Sequence, residues 1–345
     1  MSKKAKSEKV ARVPAARYGI AEWFGRDISS LTPEERQCFG RLAAKQDEDG
    51  SLAGAEACPF LATLIPGARC NKSGGVCSFR KYTSGGASVV GDKVVTMCPN
   101  RFLQSAGSEK SLFRWISERM LDIPNATVIK ETPFLRNTAK PRSSSEPANG
   151  MNVEAKDHEK KAGRIDWILV NQATMNAGDP DWCAVETQAI YFSGDKMRLE
   201  FDAYAQQPSP ILYPVGNRRP DYRSSGPKRL WPQLDVKVPV LRNWGKKVVV
   251  VVDRFFYNQM NTLVDPYPHA RSDKARRDNA DVAWFIVDYD DSLHLRAGEV
   301  IFTSLDISRA ALNATEPMSK ADFTDALKNV MSDGKRANKV FKVLE

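Results

Sequence analysis

The 345-residue chain has no apolar run near the ~18 residues that a membrane-spanning helix needs. Its first stretch, residues 1–17, carries Lys and Arg but no apolar core of a secretory leader, so a cytoplasmic protein is expected. Histidine is scarce. His158, His269 and His294 are the full set, and none stands at ligand spacing from another, so no histidine is assigned a metal or catalytic part. There is no internal repeat. Hydrophobic residues make up 42% and charged residues 27%, which excludes wholesale disorder and collagen-like classes. At ~150 residues per domain the length suggests about two domains.

What the chain has in excess is positive charge. Lys and Arg number 51 against 42 Asp and Glu, a net charge of +9. Such an excess serves solubility alone or meets an acidic partner, and nucleic acid is the first candidate.

Six cysteines are present, and four of them, Cys58, Cys70, Cys77 and Cys98, fall close together. Pro59 and Pro99 directly follow two of these sulfurs, and Gly74-Gly75 leads to Cys77; such turns aim side chains inward. A reducing compartment disfavours a disulfide framework. Four thiolates on one tetrahedral zinc or iron suit the cluster, although the spacing is not that of a zinc ribbon. Buried free thiols acting as small hydrophobes are the bland alternative. Cys38 and Cys183 lie apart and read as core residues.

Along the chain, residues 1–17 form a basic tail. Residues 18–45 read as helical, with an amphipathic Ile20-Ala21-Glu22-Trp23-Phe24 and a helix start at Thr32 (N-cap) and Pro33. A helix is expected over 108–122 and a strand over 127–135. Residues 136–163 are polar and charged, the composition of a long solvent loop inserted between strands. Strands follow at 164–170, 182–192, 246–253, 282–289 and 299–304, with a helix at 228–244 despite Pro232 and Pro239, and another at 319–344. The run 246–253 is apolar enough for a fully buried central strand. The expected fold is α/β: a mixed β-sheet flanked by helices, with a small four-cysteine metal-binding module. The expected division is 1–17 tail, 18–105 cysteine module, 106–310 core and 311–345 C-terminal helical segment.

Two carboxylates interrupt apolar strands. Asp166 follows Ile165 and precedes Trp167-Ile168; Glu186 stands in Ala184-Val185-Glu186-Thr187-Gln188. A buried carboxylate is costly without compensation. Gln188, two residues after Glu186, is expected on the same face of one strand. Neighbouring strands would then gather Asp166, Glu186 and Gln188 on one patch. Paired carboxylates suit Mg2+, which supports in-line displacement at phosphate. A basic partner such as Arg164 would equally satisfy such a pair.

Asp in one strand followed by Glu-x-Lys in the next resembles the metal-dependent nuclease fold of many restriction endonucleases. This chain carries Glu-x-Gln. Together with the four cysteines, that variant resembles the NotI-type restriction endonucleases. The matching pieces are Ile20-Ala21-Glu22-Trp23-Phe24-Gly25, Cys58-Pro59-Phe60-Leu61, Gly75-Val76-Cys77, Cys98-Pro99-Asn100-Arg101, Ile165-Asp166-Trp167 and Val185-Glu186-Thr187-Gln188. They run in the family's order over roughly residues 18–192. The resemblance implies a restriction-endonuclease-like core, an iron site on the four cysteines, a homodimer, and Mg2+-dependent cleavage of double-stranded DNA at a long palindromic site. It implies Asp166 and Glu186 as Mg2+ ligands and Gln188 in the place of the usual lysine. Glutamine cannot act as a general base, so water activation falls to the metal or to a substrate phosphate. A further family carboxylate precedes the Asp strand, and Glu131 is the candidate, ahead of Glu118 and Glu154.

A basic, partly aromatic segment follows the carboxylate strands. Arg218, Arg219, Arg223, Lys228 and Arg229 are its candidate DNA contacts, to phosphates or to base edges. Residues 269–277 form a second basic run; solvated loops are the commoner fate of both. A non-catalytic, sequence-specific DNA-binding protein with a structural four-cysteine metal is the rival class, and it leaves Asp166 and Glu186 unexplained.

Overall fold

The computed structural model describes residues 16–49, 56–84, 88–104, 111–136, 161–314 and 318–332. Most of the basic tail, of the expected 136–163 loop and of the end of the expected 319–344 helix lies outside these residues.

The N-terminal part builds on β1 (Arg17–Trp23), β2 (Arg26–Asp27), α1 (Pro33–Asp49), β3 (Val76–Ser84) and β4 (Ser88–Thr96). Its strands form an antiparallel sheet in the order β2-β1-β3-β4. Residues 18–24 were expected in a helix, and here the expectation is corrected. Gly19 to Trp23 are buried in succession between both faces of a paired strand, and a short apolar run does not separate a buried strand from a helix. α1 begins at Pro33 as expected. The Thr32 hydroxyl accepts from the Glu35 amide at 3.2 Å, and the Glu35 carboxylate accepts from the Thr32 amide at 2.8 Å. This reciprocal cap satisfies two amides of the first turn. Cys38, expected in the core, is exposed on α1, because the packed face carries Phe39, Gly40 and Ala43.

The larger part follows in the order α2 (Leu112–Leu121), β5 (Thr127–Arg136), β6 (Lys161–Val170), β7 (Trp182–Thr187), β8 (Tyr191–Gly194), α3 (Arg198–Gln206), β9 (Arg218–Asp221), α4 (Tyr222–Ser225), α5 (Trp231–Asn243), β10 (Lys247–Asp253), α6 (Arg254–Tyr257), α7 (Asp273–Asn279), β11 (Val282–Tyr289), β12 (Leu295–Thr303), α8 (Leu305–Asn313) and α9 (Lys320–Ser332). Six strands form a mixed sheet ordered β12-β11-β10-β7-β6-β5. β10 is parallel to both β7 and β11, while β5, β6 and β12 run antiparallel to their neighbours. β5 and β6, which flank residues 137–160, pair with each other.

Helices cover both faces. Side chains of α2 pack with Trp167, Leu169, Val185, Val249 and Phe285, while α5 and α8 pack with Ile168, Ala184, Val248, Val250 and Trp284. The alternation along each strand sorts the two sets. Val248 to Val252 of β10 are completely buried, each worth about 1.5–3 kcal/mol of transfer free energy. Asp253 ends this strand. Its carboxylate accepts from the Phe256 amide at 2.7 Å, capping α6, and from the Thr96 amide at 2.6 Å, tying β4 to the larger sheet.

Candidate active site

β6 and β7 pair so that Trp167 faces Val185 and Ile168 faces Ala184. Continuing this register sets Asp166 opposite Glu186. Residues 166, 168, 184 and 186 share the sheet face that α5 covers. Asp166 is half-buried, and one of its oxygens accepts from both the amide (3.0 Å) and hydroxyl (3.2 Å) of Thr187. Glu186 is 1% exposed. Its Oε1 accepts from Lys237 Nζ at 2.6 Å, while its Oε2 is buried without a hydrogen-bond partner. Burial, and then the nearby Asp166 charge, push the Glu186 carboxyl up to about 7 against the pull of Lys237. The fold therefore holds a carboxylate oxygen that is desolvated and uncommitted, beside a second carboxylate.

Gln188 was expected in one strand with Glu186, and this is corrected. β7 ends at Thr187, and one further ladder bond runs from the Gln188 amide to Val251 O at 3.0 Å. The chain then crosses to the N-terminal sheet, the Ile190 amide donating to Thr96 O at 2.9 Å. Gln188 Nε2 donates to Ala189 O at 2.6 Å, so its amide is held by the turn.

Glu131 stands between Lys130, which faces Trp167, and Thr132, which faces Ile165. It therefore sits beside Asp166, at the end of a row that continues to Glu186. Its backbone has φ 50°, and its exposed carboxylate pairs with Lys130 and, at 3.0 Å, with Arg164. Those cations, Lys130 first, hold its pKa below the ordinary range. Arg164 thus serves Glu131 and not Asp166. Glu118 pairs with Arg114 on α2, and Glu154 lies outside the described residues.

Lys237 and Thr187 were missed by sequence reasoning. The signal for Lys237 was present: Leu234, Lys237, Val238 and Leu241 fall at i, i+3, i+4 and i+7 of one helix face, all buried. A lysine inside an apolar stripe demands an acidic partner.

The four clustered cysteines are all buried, and no disulfide joins them. They lie close enough for Cys58, Cys70, Cys77 and Cys98 to act on one another electrostatically. The Leu61 amide donates to Cys58 Sγ at 3.4 Å. Burial pushes the Cys70 thiol up to about 11 and raises Cys77 and Cys98 as well. Among the described residues no group of three or more His, Cys, Asp or Glu side chains stands arranged to hold a metal ion.

The basic segment splits. Arg218 is 5% exposed and is bound to both oxygens of buried Glu200 and to the carbonyls of Asp195 and Lys196. In this structure it fastens β9 to α3. Arg219, Arg223, Lys228 and Arg229 are exposed, with Arg229 lying over the Tyr191 ring at 5.1 Å. Since β8 begins three residues after Gln188 and pairs with β9, this surface adjoins the end of β7. In the second basic run, Arg276 and Arg277 are tied to Asp265, Asp273 and Asp122.

The family model described as restriction endonuclease NotI matches residues 51–300, more than half of the 345 residues. The matched span takes in the cysteine cluster, both carboxylate strands and α5. No curated protein matches the chain.

Proposed function

Since the chain belongs to the NotI restriction endonuclease family, we propose that it is a type II enzyme, a homodimer that hydrolyses double-stranded DNA at a specific palindromic site with Mg2+ held by Asp166 and Glu186. One observation carries the placement of the ion: Glu186 Oε2 is buried and has no partner. The donor set fits, because Mg2+ takes one or two carboxylates and completes its shell with water and phosphate oxygens. When bound, the ion supplies Lewis-acid charge to the reacting phosphate. Thr187 fixes the Asp166 carboxylate by two hydrogen bonds to one oxygen and leaves the other for the ion. Gln188, just past the end of β7, orients the water or the attacked phosphate, and Glu131 extends the acidic row toward the substrate. Arg219, Arg223, Lys228 and Arg229 meet phosphates or bases. The four cysteines hold an iron or zinc ion; the clustering of buried, unbridged thiols supports this.

Incubating the full chain with unmethylated genomic DNA, with and without Mg2+, tests the reading. Discrete fragments with a common end sequence, formed only with the metal, are expected. Sequence-specific binding without cleavage would move the protein to the rival, non-catalytic class.

A further inference from the structure

The family resemblance leaves one question open: which cation stands in for the lysine that position 188 lacks. We propose that Lys237, reaching the sheet from α5, is that cation, a positioning residue that binds Glu186 Oε1, leaves Oε2 to the divalent ion and sets the net charge of the loaded site. The inference rests on the reading of Asp166 and Glu186 as the ion's ligands.

Lys237 comes from the opposite direction to a residue at 188, through the helix layer and not along the strand. It is 6% exposed, among Leu234, Val238 and Leu241, where an ammonium group persists only with a close anion. That anion is Glu186, at 2.6 Å. Among the described residues no Lys or Arg stands within ion-pair distance of Asp166, so Lys237 is the sole cation in contact with the carboxylate pair. Two carboxylates and one ammonium leave a net charge of −1; a divalent ion brings the site to +1, the charge that faces a single phosphodiester. Without Lys237 the same site would be neutral toward its substrate. The two other buried glutamate pairs are closed: Glu22 is bonded through both oxygens to Arg101 and Ser78, and Glu200 through both to Arg218 and the Gly216 amide. Glu186 alone among the three keeps an oxygen free.

The test uses the full-length chain carrying Lys237→Met or Lys237→Gln, the second retaining an N–H donor for Oε1, with Ca2+ binding measured by calorimetry and cleavage measured on a plasmid that the wild type linearises. Removing a like charge beside the ion does not weaken its binding, so Ca2+ affinity is expected to hold or rise. With DNA affinity unchanged, kcat should fall about a hundredfold, the usual scale for losing one preorganised charged partner. Adding Gln188→Lys to Lys237→Met should recover much of that loss, because it returns the charge along the strand. Wild-type kcat in the single variants would overturn the proposal. So would a joint loss of folding or Ca2+ binding in both, which marks a structural pair. If the wild type itself cuts no DNA, the endonuclease reading fails first and takes this role with it.

Discussion

The N-terminal sheet and the six-stranded sheet each bury a glutamate against a cation, and they complete the arrangement differently. In the first, Arg101 stacks on Phe60 at 4.7 Å, binds both oxygens of Glu22 and reaches Leu293 O. Every polar atom of that carboxylate is used. In the second, Lys237 takes one oxygen of Glu186 and the fold leaves the other bare. An unpaired buried acceptor costs about 1–3 kcal/mol, and among the buried carboxylates of the described residues Glu186 is where the fold carries that cost. The comparison separates a carboxylate closed on both oxygens from one that keeps an oxygen open.

The largest expected effect falls on the open site. Asp166→Ala and Glu186→Ala should each reduce cleavage on the order of a thousandfold or more, since each removes a proposed ligand of the ion. Specific DNA binding in Ca2+ should survive in both. Cleavage above a few percent of wild type in either variant would remove that residue from the site.

Next comes the closed site. Arg101→Met strands Glu22 in the interior, and breaking a buried pair in this way costs about 3–5 kcal/mol. Urea unfolding should show it as a lowered midpoint. Lys237→Gln should cost less, because Glu186 can take up a proton. Equal losses at the two positions would erase the distinction between closed and open carboxylates.

This contrast also shows how far the sequence could be read. Asp166 and Glu186 were legible because a charge in an apolar strand is conspicuous, and the β10 run announced its own burial. Lys237 was legible in principle through its helical spacing, but a lysine between two prolines in a doubtful helix drew no notice. Arg218 was not separable from its neighbours because basic runs look alike in one dimension; only the fold shows its pairing with Glu200, 18 residues earlier. Gln188 and the 18–24 strand depend on where a chain leaves one sheet for another. That choice is made by tertiary pairing and leaves no local mark.

A smaller effect concerns protons. Glu186 sits at about 7 in the fold, above the ~4.3 of an unfolded chain. Folding therefore favours its neutral form relative to the unfolded chain. The stability it contributes is fully present below pH ~4.3 and is lost as pH rises through about 7. The metal-free protein should thus show a melting temperature that declines across this window, with the decline flattened in Glu186→Gln. A divalent ion competes with the same proton, so Ca2+ affinity should climb between about pH 6 and about pH 8. The cysteine cluster should behave likewise at higher pH, because its raised thiols must lose protons to take a metal. Iron or zinc, read by elemental analysis, should be absent after Cys77→Ser, and stability should fall with it.

The smallest effect, and the finest test of the comparison, lies in the basic segment, where one closed residue adjoins four open ones. Arg218 is consumed by Glu200, whereas Arg219, Arg223, Lys228 and Arg229 face solvent beside the end of β7. A palindromic duplex presents its bases twice about a two-fold axis, so a chain with one site cuts both strands in one encounter only as a dimer. Sedimentation should therefore report a dimer, carrying about twice +9 toward the duplex. Each phosphate contact releases counterions, and log K falls with log salt by ~0.9 per contact. Arg219→Ala or Lys228→Ala should flatten that slope by about one per half-site if the contact is to phosphate, or relax the sequence preference at unchanged slope if it is to a base edge. Arg218→Ala should do neither. It should instead lower the melting temperature, because it leaves Glu200 buried and unpaired. A changed salt slope in Arg218→Ala with stability intact would show that its buried pairing opens on DNA, and unchanged binding in both Arg219→Ala and Lys228→Ala would return the segment to an ordinary solvated surface.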